Sequence, residues 1–140
     1  MEMTLAILKP DTVAGGNAGK VLAHLEQEGF AIRGLRTLHL TRAQAEGFYA
    51  VHRERPFFGS LVAFMTEGPC APVALERSNA VAHLREVMGA TDVAKAAPGT
   101  IRKLFGTSIE RNAIHGSDSP ENAAKELAFF FAAADLIAAR

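Results

Sequence analysis

Apolar positions follow two rhythms along this chain, one of period two and one of period 3.6, and together they predict the order of elements. Met3 to Lys9 is a short apolar run stopped by Pro10, the pattern of a buried strand that ends on a positive charge. After a loop over Val13 to Asn17, Ala18, Val21, Leu22 and Leu25 recur at helical spacing. Glu26, Gln27 and Glu28 lie mostly outside that stripe, and Gly29 is its stop. Phe30, Ile32, Leu35, Leu38 and Leu40 interleave with Arg33, Arg36 and His39 as a half-buried second strand, and a slip near Gly34 suggests a bulge. Thr41 caps a short helix, and a second one follows Pro56 as far as Met65.

Gly68-Pro69 marks a turn, and Cys70 to Leu75 reads as a third strand that Pro72 demotes towards an edge or a bulge. Asn79 is placed to cap a third helix carrying Val81, Leu84 and Met88, with Gly89 at its end. Thr91 to Arg111 is unpatterned, and irregular segments of that length in compact domains are often functional. Ala113-Ile114 forms the core of a short fourth strand. Ser119-Pro120 then caps a last helix with Ala123, Ala124, Leu127, Phe130 and Phe131 on one face. The order β-α-β, two short helices, β-α, long loop, β-α predicts an α+β fold. Its simplest form is a ferredoxin-like βαββαβ antiparallel sheet with helices on one face and a two-helix insertion. A doubly wound parallel sheet competes, but its strands would be continuous apolar runs, and the second strand alternates.

A length of 140 residues suits a single domain over 1–140, and an apolar fraction of 49 % with 21 % charged residues argues against a disordered polymer or a small disulfide scaffold. Lys plus Arg and Asp plus Glu both number 15, so the broad basic footprint of a nucleic-acid or polybasic membrane binder is missing and any anion site is local. The lone Cys70 makes no internal disulfide, and the N-terminus lacks a secretory pattern, which points to the cytoplasm. The longest apolar stretch, Ala128 to Ala134, is far short of the roughly 18 residues of a membrane span.

The five histidines form no His-Glu-x-x-His or similar metal pattern. His24, His39, His52 and His83 read as solvated or capping residues. His115 differs, because it stands where a buried strand opens into the polar turn Gly116-Ser117-Asp118-Ser119, a position typical of functional groups and also open to a structural role. Arg85 lies about 40° from Val81 around the third helix and so inside its apolar stripe, where it needs an anion, a structural ion pair or room to snorkel. Arg102 lies in the long loop, either solvated or functional, and Glu126 flanks the stripe of the last helix. Gly15 to Lys20 resembles a phosphate-binding P-loop, but Ala14 and Val21 stand where glycine and a hydroxyl are required.

Asn112-Ala-Ile-His-Gly-Ser-Asp-Ser119 resembles the active-site signature of nucleoside diphosphate kinases. Ile7 to Asp11 is similar to that family's first strand and lysine, Arg55 to Phe58 with Leu61 to its base clamp, and Gly89 to Thr91 with Pro98 to Arg102 to its phosphate-binding loop. Asp92-Val93 and Lys103-Leu104 depart from the family pattern while leaving the contacting positions intact. The resemblance implies ping-pong transfer of a γ-phosphate from a nucleoside triphosphate, usually ATP, to a nucleoside diphosphate through a phosphohistidine, with Mg²⁺ carried on the nucleotide phosphates. Carried over by position, His115 would be the nucleophile, assisted by Glu126 and Ser117. Lys9, Tyr49 and Asn112 would line the phosphate and ribose end; Arg85, Thr91 and Arg102 would bind the β-phosphate region; Phe57, Leu61 and Ile109 would contact the base. The resemblance further implies a homo-oligomer, tetramer or hexamer, with Ala132 to Arg140 as a candidate contact. Two rivals compete with this reading. A non-catalytic nucleotide-binding regulatory module would not need His115, and a single-stranded RNA binder would need spaced sheet aromatics and a basic face.

Overall fold

The computed structural model describes residues 1–137, so residues 138–140 of the candidate contact tail lie outside the described residues. Four strands, β1 (Glu2–Leu8), β2 (Ala31–Leu35), β3 (Ala71–Arg77) and β4 (Ile114–Gly116), form one sheet in the order β2-β3-β1-β4. Every pairing is antiparallel, which removes the doubly wound alternative. Among the described residues seven α-helices accompany them: α1 (Pro10–Ala14), α2 (Ala18–Gln27), α3 (Arg42–Phe48), α4 (Phe58–Met65), α5 (Ala80–Met88), α6 (Ile101–Phe105) and α7 (Pro120–Phe130). The run β1-α2-β2-β3-α5-β4 is the predicted ferredoxin-like unit, and α3 with α4 is its insertion.

β1 is central and buried on both faces, which is why it reads as a continuous apolar run. Ala6 and Leu8 pack under α2 and α5 with Val21, Leu25, Leu84 and Met88. Leu5 and Ile7 point the other way, into a second core with Val62, Met65, Leu127 and Phe130, so the insertion and the last helix cover the opposite face. Each such fully buried side chain stabilises by roughly 1.5–3 kcal/mol before conformational entropy is counted.

Several predicted details change. Pro10 occupies the first turn of α1, which extends through Ala14 into the expected loop. β2 is shorter than its alternation suggests, with the predicted irregularity between Ile32 and Gly34, and Leu38 pairs only through an isolated bridge to Cys70. A Cβ at Gly34 would lie 2.8 Å from the Phe131 ring, so the glycine admits that ring against the sheet. Pro72 sits in the interior strand β3, not at an edge. Its carbonyl accepts from Arg36 N–H at 3.1 Å, which puts its proton-less nitrogen on the same side, just past the end of β2, where no ladder bond is forfeited to β1.

Asn79 precedes α5 in a left-handed conformation, φ 53°, and its side chain caps nothing; Glu2 Oε1 instead accepts Val81 N–H at 2.7 Å. Thr41 forms the predicted cap, with Gln44 completing a capping box. The segment from Thr91 to Arg111 is not irregular throughout, since it holds a 3₁₀ turn (Val93–Lys95) and α6, whose start is capped by Thr100 Oγ1. On α7 Ala123, Leu127 and Phe130 are buried, but Ala124 is exposed. Among the described residues no helix is long and apolar enough to cross a membrane.

Candidate active site

The turn after β1 grips the residue that leads into β4. Ala113 O accepts both Lys9 N–H at 2.9 Å and Thr12 Oγ1–H at 2.8 Å, while Ala113 N–H donates to Asp11 Oδ2 at 3.1 Å. These three bonds hold Ala113 at φ 77°, a conformation that residues with a Cβ disfavour. Ile7 pairs across the sheet with His115, so the histidine's height above the sheet is set by the central strand. Asp11 and Thr12 carry this positioning, and spacing along the sequence did not single them out. Burial pushes the Asp11 carboxyl up from its ordinary range.

His115 Nε2 lies 2.8 Å from Glu126 Oε1, and Ser117 Oγ donates to the same oxygen at 2.7 Å. A carboxylate only accepts, so Nε2 carries the proton and Nδ1 keeps the lone pair. Phe48 meets the imidazole edge-on at 5.4 Å and Tyr49 at 6.1 Å, which limits rotation of the ring. The Tyr49 hydroxyl is buried without a hydrogen-bond partner, and burial pushes its pKa well up, so it remains a donor.

Lys9 is 7 % exposed and donates from Nζ to Asn112 Oδ1 at 2.9 Å. Burial, helped by the charge of Arg102, lowers its pKa to about 8. Asn112 Nδ2 is 3.1 Å from both Thr91 O and Ile109 O, so one side chain ties the lysine to the long connecting segment. Arg102 is also buried. Its Nη1 donates to Gly89 O at 3.1 Å and its Nη2 to Ile114 O at 2.9 Å. Burial and then Arg85 lower its pKa to about 10, which leaves it charged at neutral pH. Arg85 itself departs from the expectation: Val81, Leu84, Val87 and Met88 form the buried stripe of α5, and Arg85 is exposed at its margin. Among the described residues no carboxylate pairs with it, and it faces the same cavity as Arg102.

That cavity, about 760 Å³, is lined by eleven of the twelve candidates: Lys9, Tyr49, Phe57, Leu61, Arg85, Thr91, Arg102, Ile109, Asn112, His115 and Glu126. Ser117 is fully buried behind the wall, where it holds Glu126. The cavity lining is of two chemical kinds. Lys9, Arg85 and Arg102 supply positive charge to its lining, and Phe57 and Ile109, 46 % and 63 % exposed, supply large apolar surfaces left open to solvent. Phe48, Asp118, Asn122, Lys125, Phe129 and Glu110 also line it without having been anticipated, and so does His52, whose ring lies 5.4 Å from Phe57. Only adjacence to a recognised position along the chain, as with Phe48 beside Tyr49, could have pointed to them.

Cationic side chains that suit phosphate oxygens and apolar ones that suit a planar ring, in one cavity, point to a nucleotide-handling enzyme on a ferredoxin-like sheet. The family model for nucleoside diphosphate kinase matches residues 2–136. The nucleoside diphosphate kinase of Sorangium cellulosum is 58 % identical over 132 residues, covering 94 % of this chain and 92 % of that protein. The Geotalea uraniireducens one is 55 % identical over 137 residues, covering 98 % and 100 %. Among solved structures, the Aquifex aeolicus nucleoside diphosphate kinase superposes with a TM-score of 0.94 at 46 % identity, over 97 % of this chain and 99 % of that one. A halophilic one from Halobacterium salinarum, in complex with CDP, gives 0.94 at 37 % identity over 99 % and 93 %. The chain belongs to the nucleoside diphosphate kinase family, and its activity is phosphoryl transfer between nucleotides.

Proposed function

We propose that residues 1–140 work as one catalytic domain in which His115 Nδ1 carries the phosphoryl group between nucleotides, usually from ATP. The observation that carries this reading is the 2.8 Å contact of Nε2 with Glu126, which leaves the opposite ring nitrogen with the lone pair. Nδ1 attacks the γ-phosphorus, an N–P bond forms, and the bond to the β-phosphate oxygen breaks with its electron pair leaving on the nucleoside diphosphate. Glu126 holds the Nε2 proton and offsets the positive charge that develops on the ring, and Ser117 fixes the carboxylate. Lys9, Arg85, Arg102 and Thr91 stabilise the phosphate oxygens, Tyr49 and Asn112 donate at the phosphate and ribose end, and Phe57, Leu61 and Ile109 hold the base. The acceptor diphosphate then enters the same cavity and reverses the step, a ping-pong cycle that maintains triphosphate pools.

Mg²⁺ reaches the site on the nucleotide phosphates. The cationic side chains Lys9, Arg85 and Arg102 that line the cavity suit the phosphates that would carry the ion. Bound on those phosphates, Mg²⁺ would offset charge on the transferring group. The reading extends to a homo-oligomer, tetramer or hexamer, supported by Leu35, 48 % exposed on the edge strand β2, and by Ile137, 79 % exposed. It places the protein in the cytoplasm, supported by a single buried cysteine.

Incubation with γ-labelled ATP followed by a GDP chase tests the mechanism. The expected result is acid-labile, alkali-stable label on the protein that moves to GDP, and its loss in His115→Ala with ADP binding retained. Turnover of that variant at the wild-type rate would overturn the assignment.

A further inference from the structure

The apolar lining of the cavity has two jaws on separate elements. Phe57 and Leu61 belong to the start of α4, and Ile109 belongs to the loop before β4. The loop is braced internally: Thr107 N–H donates to Arg111 O at 2.8 Å, Arg111 N–H to Ser108 Oγ at 3.0 Å and Asn112 Nδ2 to Ile109 O at 3.1 Å. It therefore moves as a unit, and its distance from α4 is set by the contacts that bridge the two.

Two side-chain pairs do so. Just past α4, Arg111 grips Glu67 with Nη1–Oε1 and Nη2–Oε2 both at 2.8 Å and lies 4.8 Å over the Phe64 ring, a firm anchor. Nearer the jaws, Ser60 Oγ donates to Glu110 Oε2 at 2.8 Å. That contact differs in kind, because Ser60 Oγ is also 3.1 Å from Phe57 O within its own helix. A hydroxyl has one proton, and the carboxylate is the stronger acceptor, so the bond to Glu110 prevails while the loop is close. When the loop draws away, the proton falls back on Phe57 O and no donor is left unpaired. The cost of opening is then small.

We propose that Ser60 and Glu110 form a latch that sets the gap between Phe57 and Ile109, and so tunes the grip on the base of a nucleoside diphosphate without either residue gripping it. Both are positioning residues, and the inference rests on the base-site reading above. Glu110 also lies near enough to Lys9 to favour its charged form, so removal of its charge has a separate effect that the test must isolate.

Steady-state kinetics with ADP, GDP and CDP provide that test. Glu110→Gln and Glu110→Ala lose the same charge, but only glutamine keeps an acceptor for Ser60. Ser60→Ala and Glu110→Ala should lower kcat/KM by about three- to tenfold for all three diphosphates, the worth of one hydrogen bond, with the Ser60→Ala kcat unchanged. Ser60→Thr should stay near wild type, Glu110→Gln should show only the loss of charge and so fall less than Glu110→Ala, and the double alanine variant should fall no further than Glu110→Ala alone. Wild-type kcat/KM in Ser60→Ala, additive losses in the double variant, or equal losses in Glu110→Gln and Glu110→Ala would overturn the latch. Phe57→Ala, assayed alongside, separates the two readings. A loss there without one in Ser60→Ala overturns the latch alone, and no loss there overturns the base site and the latch with it.

Discussion

Asp11 Oδ2 accepts the backbone N–H of Ala113 at 3.1 Å, joining the turn after the first strand to a residue 102 positions later. With Lys9 N–H and Thr12 Oγ1 on the Ala113 carbonyl, it sets the path of the chain two residues before His115. Asp11→Ala leaves a buried donor unpaired, and a loss of about 1–3 kcal/mol in urea denaturation is expected. Phosphoenzyme formation should slow in the same variant, because β4 loses its anchor. Ala113→Gly should be neutral or stabilising by up to about 1 kcal/mol, since glycine accepts φ 77° without the Cβ clash.

Lys9 predicts a pH dependence of definite sign. Its pKa in the nucleotide-free fold is about 8, against 10.5 for an ordinary lysine. The stability linked to this group is present above the ordinary value and lost as pH falls through about 8, so stability should rise between those two values and Lys9→Met should lack that rise. A bound diphosphate favours the ammonium form. ADP affinity measured by calorimetry should therefore weaken as pH rises through about 8, and the dependence should flatten in Lys9→Met.

Glu126→Gln keeps an oxygen for Ser117 and His115 but removes the negative charge. The rate of label transfer from ATP to protein in rapid-quench measurements should fall by about 10²-fold, the scale of one electrostatic contact to developing charge, while ADP affinity changes little. A rate equal to wild type would show that the carboxylate only positions the ring.

Gly89 ends α5 at φ 86°, and a Cβ there would lie 2.5 Å from Thr100 Oγ1, the cap of α6, while its carbonyl accepts from Arg102. Gly89→Ala should cost about 1–3 kcal/mol in thermal denaturation through backbone strain and the displaced cap. It should also weaken ADP binding by moving Arg102.

Much of this fold was legible along the chain. Pro10, the irregularity near Gly34, the Thr41 cap and the Ser119-Pro120 start of α7 each act within a few residues, and the structure has them all. Eleven of the twelve candidate positions share one cavity because residues after β1, on β4, in the segment between α5 and β4, in the α3–α4 insertion and on α5 and α7 converge on it. Pro72 and Asn79 depart from the local-chain rules for one reason: a distant partner decides each. The interior place of β3 turns on where β2 ends, and Val81 N–H is taken by Glu2, 79 residues away.

By itself, then, the sequence determined the alternation and periodicity of its elements and the α+β class, and offered a set of candidate residues through its motifs, since these depend on side-chain type and near-neighbour spacing. Tertiary structure alone decided that Nε2 and not Nδ1 faces Glu126, that Arg85 is exposed while Arg102 is buried, and that Asp11 and Thr12 steer the strand that carries His115. Those outcomes depend on hydrogen bonds and burial between segments up to about 100 residues apart, and pairings at that distance leave no periodic trace along the chain.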